Sequence, residues 1–457
     1  MEKCAVKSIY YTVLLIAVSL HGCTTYSHFS GDFRTSLRAR NYEDARAKIK
    51  KSRKRGNQLL YLLENGLLTH YQGHYETSNR YFAEAERLSD RLYTRSVSRE
   101  AAAFLTNDAI RNYRGDSFEM VAIHYYRALN YWYLGLPEDA LVECRKANLK
   151  LDQYAIHNGQ TSYKNDAFIH YITGLFYEAT GEFNDARVSY QHAQDAYLYY
   201  KKKFHIAPPQ TVAEDLKQVD NILNGEGADM RFASLNIPPF VPPVGNGELV
   251  IFSEIGFIPR KVQEEIDLPI YEEDIKRSKG DKVSSIAAEI SHRRHRVYPI
   301  RDVEYWLRVT LPKYEAVAPR TKRILIRAGN RTIQTQIAQN YATIAKTSLQ
   351  DHYPRIMIRT IARGLVKYIA HREAKDENEV LGFFINLFNI STEIADTRSW
   401  VSLPHNIQIG RLELPPGIHT ITLEARDANG RIIETETFTN IKIKPGQRTF
   451  LNHRVYE

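Results

Sequence analysis

Gly135-Leu-Pro-Glu-Asp-Ala140 is followed at helical spacing by Cys144 and Ala147, and Gly181-Glu-Phe-Asn-Asp-Ala186 by Tyr190 and Ala193. The signal recurs upstream: Gly73-His-Tyr-Glu-Thr-Ser78 precedes Phe82 and Ala85, and Tyr42-Glu-Asp-Ala45 echoes its centre. Seven residues before each of the three glycines stands a small residue, Gly66, Ala128 and Gly174. A glycine just past a helix end takes the left-handed conformation that closes it. A second helix then starts, and its bulky residue can pack on the small residue of the first. The pattern predicts a series of antiparallel helical pairs.

Glycine, aromatic and small residue in this order resemble the tetratricopeptide repeat, a helix-turn-helix unit. Tyr42 and Tyr75 are 33 residues apart, close to that period, whereas the next two intervals are 62 and 46. Inserted helices are therefore expected between Asp90 and Met120 and near Asp152 to Lys164. The resemblance covers about residues 31–200 and implies a concave groove lined by the first helix of each unit. That places His70, Tyr71, Tyr125, Trp132, Tyr133, Tyr171 and Glu178 in a candidate partner-binding groove. Tyrosine and tryptophan offer large contact area with polar tips, as a docking surface requires. The competing reading is that these rings pack on inserted helices or on the C-terminal half of the same chain. Tyr197 to Lys203 reads as the solvated end of a last helix.

At 457 residues, with 43% hydrophobic and 25% charged residues, the chain is long enough for several packed domains. Lys and Arg exceed Asp and Glu by 62 to 53, but thinly, without the long basic tails of nucleic-acid binders. Three cysteines exclude a disulfide-stapled scaffold. Lys3 and Lys7 precede an apolar run from Ile9 to Leu20, the layout of a secretory signal. Leu20-His-Gly-Cys23 resembles the bacterial lipobox, with His21 departing from the usual residue. The resemblance implies cleavage before Cys23, lipid on its sulfur and, with Thr24 next, an outer-membrane anchor facing the periplasm. Cys4 then leaves with the signal, and Cys144 reads as a buried structural thiol.

The second half begins after Pro208-Pro209 and the Asn236 to Pro243 stretch. Strands are predicted at Glu248 to Ile255, Val303 to Leu311 and Lys322 to Arg327. A charged, mobile segment is expected from Glu272 to Arg296, and a helix from Gln336 to Lys375 interrupted at Pro354. Val380 to Ile390 is apolar but too short to span a bilayer. From Asn406 to Tyr456 strands alternate with turns, Asn429-Gly430 marking a hairpin. The expected architecture is multidomain α+β: a signal over 1–22, a tether over 23–30 and a tetratricopeptide-like α-solenoid over 31–225. A linker over 226–246, a mixed α/β region over 247–399 and a small β-sandwich over 400–457 follow. Arg359 to Tyr368 and Ala395 to Trp400 resemble segments of an uncharacterised family of envelope lipoproteins with this layout. That resemblance implies work in cell-wall or envelope assembly. Arg359, Arg363, Asp396 and Arg398 are expected to form ion pairs holding helix to sheet.

No Walker A loop, Gly-x-Ser-x-Gly, His-Glu-x-x-His or Cys-x-x-Cys occurs. His292 and His295 flank two arginines, which argues against a metal. Glu264-Glu265 and Glu272-Glu273-Asp274 could supply paired carboxylates for glycan cleavage, but in a loop-like context. The sequence therefore predicts no cofactor, no metal, no nucleic-acid partner and no catalytic site. It predicts a lipid-anchored scaffold or regulator for another envelope protein; the alternative is an envelope enzyme acting on peptidoglycan or another glycan, with the repeats as clamp.

Overall fold

The computed structural model describes residues 25–53, 55–97, 111–158, 162–224, 245–278, 282–292, 303–377 and 394–457. The signal, Cys23 and Val380 to Ile390 lie outside them, as do His295 and most of the 226–246 segment. The described N-terminal residues are helical: α1 (Thr25–Arg38), α2 (Tyr42–Ser52), α3 (Gln58–Tyr71), α4 (Tyr75–Val97), α5 (Ser117–Tyr133), α6 (Pro137–Asn158), α7 (Ala167–Ala179), α8 (Phe183–Lys203) and α9 (Gln210–Asn224). No strand falls within the described parts of residues 60–90 or 120–195.

The pairing follows the small-residue rule read from the sequence. A Cβ on Gly66 would stand 2.6 Å from the Phe82 ring, and one on Gly174 2.3 Å from Tyr190. Glycine at the first helix thus lets the aromatic of the second lie flat against its backbone. Gly73, Gly135 and Gly181, at the turns, all take positive φ. Three expectations change in this half. Helix α1 occupies most of the 23–30 tether and begins before residue 31, because Phe33 and Leu37 bury against Val401 and Tyr456. Among the described residues near 152–164 there is no separate helix; α6 runs on to Asn158, and residues 162–166 are not helical. Helix α8 is not the last, since α9 packs on it, and Tyr197 and Tyr200 are fully buried. Leu198, Tyr199 and Lys201 to Lys203 are exposed there.

The other elements are β1 (Gly247–Ile255), β2 (Lys261–Tyr271), α10 (Glu272–Arg277), α11 (Val283–Ser291), β3 (Val303–Tyr314), β4 (Arg323–Ala328), β5 (Arg331–Gln334), β6 (Gln336–Gln339), α12 (Tyr341–Glu377), β7 (Asn406–Leu414), β8 (Gly417–Arg426), β9 (Ile432–Ile443) and β10 (Arg448–Val455). One four-stranded sheet runs β10-β1-β7-β6 and another β5-β4-β8-β9. They share a core of Leu249, Ile251, Ile326, Leu412, Leu423 and Val455. Among the strands of 400–457 only β8 and β9 pair with each other, and β1, β4, β5 and β6 from the 247–399 region complete both sheets.

A two-stranded ribbon, β2 and β3, packs with α10, α11 and α12 around Leu268, Ile290, Leu307, Val309, Ile361 and Leu365. The segment expected to be mobile, 272–296, is helical where described, since Ile275, Ile286 and Ile290 belong to this core. Glu264 and Glu265 lie on β2 rather than in a loop and pair with Lys313 and Arg308. Residues 336–339 are strand, and α12 continues through Pro354 without a break. Asp396 and Arg398 pair at 2.6 Å, and Arg398 reaches Gly56 O and Asn57, so they fasten residues 394–405 to the turn before α3. Arg359 and Arg363 lie on α12, with Arg363 buried. No helix among the described residues is long and apolar enough to cross a membrane.

Candidate functional site

The first helices of the three pairs, α3, α5 and α7, face the sheet that contains β1. Strand β1 is buried along its whole length. Its side chains alternate: Leu249, Ile251 and Ile255 enter the inter-sheet core, whereas Val250 and Phe252 join the helical core. The helix-facing row reads Glu248-Val250-Phe252-Glu254. Strand β10 runs parallel beside it, with Glu248 opposite Arg448, Val250 opposite Phe450, Phe252 opposite Asn452 and Glu254 opposite Arg454. Charge complements charge at both ends, and apolar groups meet between them.

Each residue of the predicted groove meets this sheet or its borders. His70 is buried, and its Nδ1–H donates to Asn130 Oδ1 at 2.6 Å while Nε2 accepts from Asn452 at 2.8 Å. Burial pushes its pKa down to about 4, so the ring is a neutral bridge from α5 to β10. The hydroxyls of Tyr71, Tyr125 and Tyr126 converge on the Glu254 carboxylate, Tyr125 at 3.1 Å and Tyr126 at 3.0 Å. Burial raises the Glu254 pKa against the opposing pull of Arg454 and the tyrosine hydrogen bonds. Trp132 stacks on Phe176 at 4.4 Å and meets Phe450 edge-on at 4.9 Å. Tyr133 is half-buried and lies beside Tyr75. Tyr171 donates to Asp215 at 2.8 Å and accepts from Thr211 at 2.7 Å. Glu178 pairs with Arg448 at 2.7 Å.

The groove thus exists, but strands β1, β7 and β10 fill it. His70, Tyr125 and Tyr171 are each no more than 2% exposed. The expectation of an open docking surface is corrected: the aromatics are the joint between the two halves. The cause is complementarity between sheet and helices: Glu254 takes the tyrosines of α3 and α5, and Arg411 and Arg448 take Asp215 and Glu178.

At the α7–α9 end of this joint, Arg411 and Arg448 both bond Glu248 at 2.6 Å. Arg411 also reaches Asp215, and Arg448 reaches Glu178. Burial opposes ionisation of Glu248, but the two guanidinium groups outweigh it and hold its pKa below the ordinary carboxylate value. Three carboxylates here share two cations. Burial, with Glu178 nearby, pushes Asp215 up to about 6.

Sequence reading missed Glu248, Glu254, Arg411, Arg448 and Arg454. The signal was the spacing: Glu248 and Glu254 stand six residues apart, as do Arg448 and Arg454, so on a strand each pair falls on one face. A third cluster, Glu86, His124 and Glu143, brings its ligand atoms within 4.8 Å of one another. Arg127 bonds both carboxylates, at 2.7 and 3.0 Å, and Lys146 takes Glu143 at 3.0 Å. With cations already on these oxygens, the cluster is an ion-pair network pinning α4, α5 and α6. Cys144 is buried and free, and burial pushes its thiol up to about 12, which suits packing rather than redox chemistry.

No protein-family model matches the chain, and no curated protein matches it. Several chains of solved structures are similar to part of it, two of them by the following measures. One is BtubC (BKLC) from P. vanneervenii, with 15% identity, a TM-score of 0.24 and coverage of 47% of this chain and 78% of that one. The other is a Rap protein complexed with competence and sporulation factor, with 11% identity, a TM-score of 0.22 and coverage of 46% and 62%. Likenesses this slight carry nothing about function.

Proposed function

We propose that the protein is a lipid-anchored scaffold of the bacterial cell envelope, held by Cys23 in the outer membrane and facing the periplasm. In this reading the tetratricopeptide-like helical array cradles the β-rich half and presents it to another envelope protein. The observation that carries the reading is the filled groove. Two polar clusters and an aromatic seam join the halves into one rigid body, so the partner surface is the outside of that body. The lipid anchor draws its support from Lys3, Lys7, the apolar run and Leu20-His-Gly-Cys23.

Crosslinking of intact envelopes, followed by capture of the protein and mass spectrometry, tests this proposal. The expected result is one reproducible envelope partner whose crosslinks map to exposed residues of the β-rich half. Crosslinks to Tyr125 or Tyr171 would show instead that the groove opens. Release of soluble fragments from purified peptidoglycan by the isolated protein would move the assignment to the glycan-enzyme reading.

A further inference from the structure

We infer that the free end of the α1–α2 hairpin is a membrane-facing surface for anionic phospholipid headgroups, an inference that rests on the lipid anchor proposed at Cys23. The two helices are antiparallel: Ser36 Oγ donates to Asp44 at 2.5 Å, and Lys48 Nζ donates to Asp32 O at 3.0 Å. With residue 36 beside 44 and 32 beside 48, the end of α2 comes alongside the first turn of α1. That end carries Lys50, Lys51 and Arg53, all exposed. The acidic residues Glu43 and Asp44 lie at the opposite end of α2.

Among the described residues, Lys50 and Lys51 form no ion pair. Arg53 meets only neutral groups there, Gln58 Oε1 at 3.2 Å and the Tyr61 ring at 4.8 Å. Helix α1 starts two residues after Cys23. Two residues reach at most about 7 Å, and packed helices lie about 8–10 Å apart. The three cations are therefore held within roughly one or two Debye lengths of the bilayer surface. Each Lys or Arg so placed favours an anionic surface by about fivefold. Three bias the orientation of the body about a hundredfold. The lipid would hold the protein at the membrane, and the basic end would decide which side faces it. Lysines in a last turn also offset the helix dipole, but that role needs no membrane, so the two are separable.

The test uses the full-length lipidated protein in vesicles of phosphatidylethanolamine and phosphatidylglycerol with headgroup spin labels. A fluorophore is placed by Ser52→Cys, and in a second preparation by Asn41→Cys at the other end of the hairpin. The expected result is quenching at least about threefold stronger at position 52. The difference should vanish in 1 M salt, in phosphatidylcholine vesicles, and in the Lys50→Glu/Lys51→Glu/Arg53→Glu variant, which should still float with the vesicles. A floating chain with equal quenching at both positions, or a preference that ignores salt and charge reversal, overturns this inference alone. A chain with no acyl group that does not float overturns the anchor reading and this inference with it.

Discussion

Glu248 and Glu254 stand six residues apart on the same face of one strand, both buried, yet they are satisfied in opposite ways. Glu248 has two guanidinium groups at 2.6 Å and is held ionised. Glu254 has three phenol donors and a single nearby cation, Arg454, and burial raises its pKa. A carboxylate solvated by neutral hydroxyls can take up a proton and lose little. One that balances two buried arginines cannot change charge, or lose a partner, without stranding the others. One end of the joint is therefore brittle and the other forgiving.

The largest expected effect probes the brittle end. Arg411→Leu leaves Glu248, Asp215 and Glu178 sharing Arg448 alone and should cost about 3–5 kcal/mol in urea unfolding. A loss below about 1 kcal/mol would mean that the cluster rearranges or admits water.

Trp132 sits between the two ends, on Phe176 and Phe450. Trp132→Ala should destabilise by about 3 kcal/mol, seen as a lower thermal midpoint, with partner capture falling only as the folded fraction falls. Unchanged stability with lost capture would return the ring to a docking role.

The smallest effect concerns carboxylates solvated by neutral donors. Glu64 belongs with Glu254: it accepts from Val401 N at 2.9 Å and from the Ser402 hydroxyl, and burial pushes its pKa up to about 8. A folded value above the unfolded one means that the native state binds the extra proton. The stability this provides is complete below the unfolded pKa and is lost as pH rises through about 8. Stability should fall from about pH 5 to about 8, by at most about 1.4 kcal/mol per pH unit for one proton, and level off above that. Glu64→Gln should flatten that fall. An unchanged slope in the variant would place the titration elsewhere.

The helical half was legible because its rule is local. A small residue on one helix, a left-handed glycine and an aromatic on the next all lie within about two dozen residues, so Gly66 and Phe82, or Gly174 and Tyr190, could be paired by spacing alone. The joint was harder to see. Glu248 meets Arg448 across 200 residues, and neither strand by itself shows what its charged ends will meet. The groove residues were found, but their cover was not, since aromatic side chains suit an internal partner as well as an external one. Pro354 misled for another reason: proline removes one helical hydrogen bond, and tertiary packing of Met357, Ile361 and Leu365 holds α12 together regardless.

The position of β1 also sets an order of events during synthesis. This strand spans residues 247–255, and its two neighbours are residues 406–414 and 448–455. The helical pairs can form as they emerge, each from its own local contacts, but the apolar wall of α3, α5 and α7 has no cover until β10 has been made. Pairings of such long sequence separation are slow to form, and surfaces that wait for them are open to aggregation. A chain arrested before residue 448 would hold assembled helices with Trp132, Phe176 and the tyrosines around Glu254 unprotected. Such a form stays open to aggregation until β10 arrives to cover it.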